Sequence, residues 1–537
     1  MRNLRSRPLL WLTAAALLMV TTDLGRAVFS TNDEVRFAVL GQDILAGGSW
    51  IFPQLNGTIY HNKPPLLAWL VALASWPAGH VSQLTAALPS ALAGLGVALM
   101  IYALGRRLFG AAAGWFAALV AITTQGFFVH ARLPMPDILL TLFITIALAM
   151  FWPMWRGRPG AWWVGFYGFT AAAFWAKGPA GLLPLAVALA YVLTSRRPGA
   201  WRDLRLAHGL ALFLLLIAPW WIREALSDHA QVRNVVVVDY LFWYLPSNLG
   251  AAALAAPAQH VFGILFPWVL VVPAALARAV TVARKERGEE RDGILFLLVW
   301  AAVLLVFVGI SQQQRVRYYL PLVAPVSLLI GWWTAAALTR RAPARGIPWR
   351  AYAAAGGVLG ALTAVFVVVR PEWFRKLEET APSSIGEVVV IVAALALMLA
   401  AVVYGMRWNR LAQAFGVAWV ASAVLVAGSY HWQIERRNAA FDYSRLRAEI
   451  RTELHDPPLV AASGVQELPF AFYFERRVVA AQTAADVRRA LAQNSGTVAI
   501  LSDAAIASWG DQPRLTLLLH DRLAYRPISV VGYAPVP

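Results

Sequence analysis

The chain has 537 residues, of which 59% are hydrophobic and 14% charged, with 46 Lys and Arg against 28 Asp and Glu. Soluble domains carry about 25% charged residues and cannot bury so large an apolar share. A soluble fold is therefore excluded, and the lack of cysteine excludes a disulfide framework or a thiolate metal site. The formal charge of +18 sits in the junctions between apolar runs, which makes it a topology signal rather than a nucleic-acid footprint.

Arg2, Arg5 and Arg7 precede the first apolar stretch, but no convincing small-residue cleavage site follows, so Leu9 begins an anchor helix rather than a removable signal. A bilayer core takes runs of roughly 20 residues. On that measure the chain predicts about thirteen spans, near 9–28, 84–104, 111–130, 134–153, 160–176, 179–195, 206–222, 259–279, 293–310, 318–338, 351–369, 385–405 and 411–429. Alternate junctions are basic, carrying Arg106 and Arg107, Arg156 and Arg158, Arg196 and Arg197, Arg284 and Lys285, Arg340 and Arg341, and Arg407 and Arg410. Lys and Arg excess marks the cytoplasm, so the N-terminus is expected inside and the C-terminus outside.

The opposite junctions are longer and chemically richer. The first, about 25–85, holds Asp33, Glu34, Arg36, Asp43, His61 and Lys63; others present Arg132 and Asp137, Lys177, the 223–258 loop, Arg315 to Tyr319, and 370–379. The division expected is a membrane domain over 1–430 and an extracytoplasmic α/β domain over 431–537. In the latter, strands are expected at 459–465, 469–481, 497–502 and near 513–531, with a helix at 483–494.

Asn32 or Thr31 can cap a helix whose first turn holds Asp33 and Glu34, where the helix dipole favours negative charge. Phe37, Leu40, Ile44 and Leu45 recur at helical intervals, which predicts a helix along the membrane surface. The plainer alternative is two carboxylates that only cap that helix. Farther on, Pro64 and Pro65 stiffen the chain after Lys63 and would hold its ammonium at a fixed place, which suits a phosphate. A lysine snorkelling to the headgroups is the plain alternative there.

With this topology, several stretches resemble the GT-C glycosyltransferases, in the bacterial branch that contains the lipid A aminoarabinose transferase and relatives of the protein O-mannosyltransferase type. They are Asp33-Glu34-Val35-Arg36-Phe37-Ala38, Leu55-Asn56-Gly57 with Tyr60, and Lys63-Pro64-Pro65-Leu66. Leu88-Pro89-Ser90, Gly105-Arg106-Arg107, Arg132 with Asp137, Lys177-Gly178-Pro179, Ala218-Pro219-Trp220-Trp221 and Arg317-Tyr318-Tyr319-Leu320-Pro321 continue the series. It covers roughly 30–330, and its order rather than any single element makes it specific. The fold so implied is a polytopic α-helical membrane protein with a C-terminal soluble α/β domain.

The resemblance implies a transferase of the bacterial inner membrane that moves a sugar from a polyprenyl-phosphate donor to an extracytoplasmic acceptor, a glycolipid such as lipid A or a protein hydroxyl. Asp33 matches the family's acidic residue at the reaction centre, with Glu34 and Asp137 as further catalytic candidates. Lys63 leads the candidate phosphate ligands, followed by Arg36, Arg132, Lys177, Arg315 and Arg317. Phe37, Tyr60, His61, Tyr318 and Tyr319 are candidate substrate contacts. Asn62 stands where the aminoarabinose transferase pattern has an acidic residue, and Asp239 and Tyr240 stand where a Glu-His pair is expected. No spacing argues strongly for a metal, and a divalent ion is left open. A secondary transporter and an inert scaffold are the rival classes. Many spans and intramembrane charges fit a transporter, but transporters usually show repeated halves and broken helices at midplane. This chain instead concentrates its polar residues in the external loops.

Overall fold

Apolar helices of membrane length form the larger part of the fold's core. The computed structural model describes residues 8–227, 251–312, 314–337, 385–408, 410–493, 496–509, 515–523 and 526–533, with a few single positions between them. Eight described helical runs are long and apolar enough to cross a bilayer: Gln83–Phe109, Asp137–Trp155, Trp162–Ser195, Ala200–Ala225, Glu289–Gly309, Val316–Ala336, Val389–Arg407 and Leu411–Leu454. Pro8–Thr21, Leu66–Ala78 and Ala111–Ile122 are shorter apolar helices. Most of the span read at 351–369, the stretch 370–379, and Asp239 and Tyr240 lie outside the described residues.

The run Trp162–Ser195 is a hairpin, reversing at Gly178 with φ of 61°. Trp155 reaches Ser195 at 3.3 Å at one end, while Lys177 pairs with Asp137 at the other. This agrees with the separate spans read at 160–176 and 179–195. The same pattern sorts the junctions. Arg156 pairs with Glu289, and Tyr191 donates to the Asp292 carbonyl at 2.9 Å, on the end that carries the basic turns. Asp33, Asp137, Lys177 and Arg317 meet at the opposite end.

Two expected spans are broken, and the breaks face each other. The stretch 111–130 divides into Ala111–Ile122 and Gln125–His130. The stretch 259–279 divides into Ala251–Leu265 and Val272–Lys285, because Pro267 lacks an N–H and cannot continue the helix. The Gln125 amide donates to the freed Phe266 carbonyl at 2.7 Å, and Trp268 donates to Thr123 Oγ1 at 2.9 Å. Each gap thus satisfies the other's backbone, as a buried break requires.

The last long helix, Leu411–Ala440, continues past residue 430, so the expected division falls inside it. Tyr443–Leu454 follows, then a five-stranded sheet. Its centre is Leu459–Ser463 and Val498–Ser502 in parallel, flanked by Val479–Ala480 on one side and antiparallel Arg526–Tyr533 and Leu515–Leu523 on the other. The expected strand at 469–481 is instead a helix, Glu467–Tyr473, and a two-residue strand. Pro469 stands in that helix's first turn, where its missing N–H has no intrahelical partner to lose. One sheet face buries Tyr443, Leu446, Phe470 and Ile500, whereas Leu468 and Phe472 pack into the membrane domain's core. The sheet domain and the bundle therefore share apolar surface rather than meeting through a linker.

Candidate functional site

The helix Asn32–Leu45 starts on Thr31, which accepts from the Glu34 amide, and Glu34 closes the reciprocal capping box. Of the two caps the sequence allowed, the structure uses Thr31. Phe37, Leu40 and Ile44 are buried on one face, which turns Asp33 and Arg36 toward a cavity of about 420 Å³. The cavity's near wall is a small hairpin, Gln54–Leu55 against Thr58–Ile59. Asn56 and Gly57, with φ of 54° and 82°, supply the left-handed turn that such a hairpin needs.

Polar and apolar groups divide this cavity. Arg36, Lys63, Lys177, Arg315, Arg317 and Tyr318 surround Asp33 on one side, and Leu140, Ala180, Leu183, Phe307 and Val308 of the membrane helices form the other. Asp33 accepts from Arg317 at 2.8 Å and from Arg315, and pairs with Arg36 at 3.1 Å. Behind it lies a smaller recess reached by Phe37, Lys63 and Asp137. Asp137 is 2% exposed and paired with Lys177, with Arg317 Nε 3.9 Å away. Arg317 thus lies between the two carboxylates, and Lys177 Nζ sits 4.2 Å from the Tyr318 ring centre.

Burial and nearby charge together set the ionisation of the interfacial groups. Burial opposes the charge on Asp33, but Arg317, Arg36 and Arg315 outweigh it and hold the carboxyl at about 2. Lys63 moves the other way. Burial first, then Arg36 and Arg317, bring it down to about 8 against the pull of Asp137 and Asp33.

Four expected site residues lie elsewhere. Arg132 is 2% exposed and spends its guanidinium on the Thr22, Phe128 and Met19 carbonyls, over the Phe128 ring, so it ties helices together rather than reaching the cavity. Tyr319 is buried with its hydroxyl toward Gln314 at 3.3 Å, because only Tyr318 of the pair faces inward. His61 is turned into a buried cluster, its Nδ1 2.9 Å from Glu224, which also pairs with Arg223. Glu34 points away from the cavity to Ser30 and Arg437. Phe37 reaches the inner recess, edge-on to Tyr60, which lines the main cavity.

Sequence reasoning missed Arg223, Glu224 and Arg437. The first two end an apolar helix where charge is expected anyway, and Arg437 reads as part of a solvated face. The only available signal for Glu34's structural part was the Thr31-x-x-Glu34 spacing of a capping box. Among the described residues no group of three or more His, Asp or Glu side chains could hold a metal ion.

Comparison with known proteins agrees with this architecture. Residues 62–222 match the family described as dolichyl-phosphate-mannose-protein mannosyltransferase. An undecaprenyl phosphate-alpha-4-amino-4-deoxy-L-arabinose arabinosyl transferase of Pectobacterium atrosepticum is 30% identical over 338 residues, 59% of this chain and 57% of that protein. One from Pseudomonas fluorescens is 29% identical, over 56% of this chain and 54% of its own length. The chain thus spans little more than half the length of these relatives. Among solved structures, ArnT from Cupriavidus metallidurans bound to undecaprenyl phosphate superposes with a TM-score of 0.75 at 20% identity, covering 98% of both chains. The apo oligosaccharyltransferase of Archaeoglobus fulgidus shares the fold more distantly, with a TM-score of 0.51 at 13% identity over 92% of this chain and 69% of that one. The chain thus has the fold of the ArnT structure, and its residues 62–222 are similar to the dolichyl-phosphate-mannose-protein mannosyltransferase family.

Proposed function

We propose that the protein is a glycosyltransferase that moves a sugar from a polyprenyl-phosphate carrier onto an anionic glycolipid acceptor of the cell envelope, such as lipid A. Support comes first from the divided cavity. Its apolar wall suits a polyprenyl chain arriving from the bilayer, and its polar wall suits the phosphate at that chain's end. The relatives named above act, by their names, on an undecaprenyl-phosphate sugar.

In the reaction an acceptor oxygen attacks the anomeric carbon, the bond from that carbon to the carrier phosphate breaks, and the phosphate leaves with the electron pair. Lys63, Arg315 and Arg317 neutralise the departing charge, the kind of preorganised stabilisation that supplies much of an enzyme's rate. Asp33 lies beside them and orients the attacking group. The arginines that keep Asp33 ionised are those a phosphate would claim. Phosphate arrival therefore returns proton affinity to Asp33, and lets it take a proton if the acceptor carries one. Asp137 holds Lys177 and Arg317 in place from behind.

The cation surplus favours a phosphate acceptor over a protein hydroxyl. Five basic side chains face two carboxylates around the cavity, more than a singly charged sugar phosphodiester requires. A second phosphate on the acceptor would use the remainder. In this reading the protein lies in the bacterial inner membrane with its N-terminus in the cytoplasm, and the site and the sheet domain face outward.

The test uses purified protein with undecaprenyl phosphate-alpha-4-amino-4-deoxy-L-arabinose as donor, and lipid A or a serine-rich peptide as acceptor. Sugar on lipid A supports the proposal, and sugar on the peptide alone replaces the glycolipid acceptor. Transmembrane flux of the donor in sealed vesicles, without transfer to either acceptor, would point to a transporter.

A further inference from the structure

Asp33 occupies the second position of its helix, the part of a helix that frays most readily because its leading N–H groups have no intrahelical partner. Here those groups are met from the far end of the chain. The Asn32 amide donates to Gln466 Oε1 at 3.0 Å, and Gln466 is itself the residue that precedes the helix Glu467–Tyr473. In return Asn32 Oδ1 accepts from the Leu468 amide at 3.0 Å, in the first turn of that second helix. Asn32 Nδ2 also donates to Glu467 at 2.9 Å. Two helix starts thus cap one another across more than four hundred residues of sequence. Two positive dipole ends placed together would repel, and the carboxylates of Glu34 and Glu467 offset that.

The residue on the other side of Asp33 is held as well. Glu34 is 9% exposed and accepts from the Ser30 amide at 3.1 Å and from Arg437, whose Nη2 also donates to Ser30 Oγ at 2.7 Å. A third attachment reaches the opposite wall of the cavity. Asn56, at the tip of the hairpin, donates to the Val478 carbonyl at 2.5 Å and accepts from its amide at 3.3 Å. Gly57 beside it lies so close to Arg477 that a Cβ there would fall 2.3 Å from Cζ. Both the carboxylate's helix and the hairpin that faces it are therefore fixed by residues 466–478 and by Arg437.

We infer that the C-terminal domain is a positioning element of the active site: Asn32 clamped to Gln466, Glu467 and Leu468, together with Glu34 clamped to Arg437, holds the Asp33 carboxylate in register with the cavity. None of these clamp residues lines the cavity, so their effect on the reaction passes through Asp33. A carboxylate displaced by even an ångström loses most of its effect on a reaction, on the order of a hundredfold. Lys63, Arg315 and Arg317, the proposed phosphate ligands, stand on segments other than the clamped helix. Turnover and donor affinity should consequently separate. The inference rests on Asp33 acting at the reaction centre, as proposed above.

The experiment compares full-length wild type with Asn32→Ala, Gln466→Ala, Arg437→Gln and Arg437→Lys. It measures kcat and donor KM with undecaprenyl phosphate-alpha-4-amino-4-deoxy-L-arabinose and lipid A, and hydrogen exchange over residues 29–45. Gln466 is exposed, so its truncation leaves the folded core untouched. Expected in the three disruptive variants are a kcat lower by about tenfold or more, a donor KM within about twofold of wild type, and faster exchange over 29–45. Arg437→Lys, which keeps a cation on Glu34, recovers a large part of kcat. Normal kcat in folded Asn32→Ala and Arg437→Gln overturns the inference, as does a loss that merely tracks the fraction of misfolded protein. If Asp33→Asn itself is fully active, the reading of the site fails first. If Asp33→Asn is inactive while the clamp variants turn over normally, only this inference falls.

Discussion

Arg317 donates to the Asp33 carboxylate at 2.8 Å while its Nε lies 3.9 Å from Asp137, so one guanidinium ties the interfacial carboxylate to the buried one. A planar donor with several fixed N–H groups reaches both at once, whereas a compact ammonium has no such fixed fork. Arg317→Lys is expected to lower kcat by roughly 10- to 100-fold, with the protein still folded. Steady-state kinetics beside size-exclusion behaviour checks this, and a kcat near wild type would remove Arg317 from the site.

Lys63 is expected to set the alkaline limit of activity. Its ammonium is brought down to about 8, so it is charged below that pH and neutral above it. The value of kcat/KM for the donor, which reports the free enzyme, should be level up to about pH 8 and fall by up to tenfold per pH unit beyond. Lys63→Arg carries the plateau to higher pH, because a guanidinium stays charged. Asp33, held at about 2, gives no acid limb in the same profile above about pH 4. An unchanged alkaline limb in Lys63→Arg would assign that limb to another group.

The buried His61, Arg223 and Glu224 cluster is expected to act on stability rather than on turnover. Its members are 4%, 5% and 3% exposed, and Arg223 donates to the Ile51 and Tyr60 carbonyls at 3.0 Å each. Glu224→Gln removes a buried ion pair of Arg223, a loss of up to about 3–5 kcal/mol. A lowered unfolding midpoint in detergent, with near-normal turnover of the surviving folded protein, is the expected result.

Arg132 makes the converse case. Arg132→Met removes charge-assisted bonds to three carbonyls, worth about 1.5–3 kcal/mol each, yet touches nothing in the cavity. Yield and thermal stability should fall while donor KM stays at the wild-type value. A selective rise in KM would restore Arg132 as a phosphate ligand.

Orientation is open to direct labelling because the chain has no cysteine. Ser508→Cys, exposed on the sheet domain, should react with a membrane-impermeant maleimide from outside intact spheroplasts. Arg158→Cys, exposed in a basic junction, should react only after the membrane is opened. The opposite pattern would invert the proposed topology.

Apolar helices and the polar character of the first loop were legible in the sequence because hydropathy and charge placement are local signals. Asp33 and Lys63 stood out in the same way. The break at Pro267 was harder to read, since an apolar run looks continuous until a partner such as Gln125 is found to satisfy the freed carbonyl. The aromatic run after Gln466 read as a strand, and tertiary contacts made it a helix. Glu34 was legible only in part. Beside Asp33 it looked like a second catalytic acid or a cap, and its capping box agrees with the second reading. Its pairing with Arg437 on a distant helix left no trace in the sequence. Arg132 was equally hard to place, because two of its three carbonyl partners, Met19 and Thr22, lie far away in sequence.

The central claim is that Asp33 lies at the reaction centre of a sugar transfer from a lipid phosphate. Its most direct test is transfer from undecaprenyl phosphate-alpha-4-amino-4-deoxy-L-arabinose to lipid A by purified wild type and Asp33→Asn, with undecaprenyl phosphate binding measured alongside. Wild type should transfer, and Asp33→Asn should lose turnover by about a hundredfold or more while still binding undecaprenyl phosphate. Undiminished transfer by Asp33→Asn would contradict it.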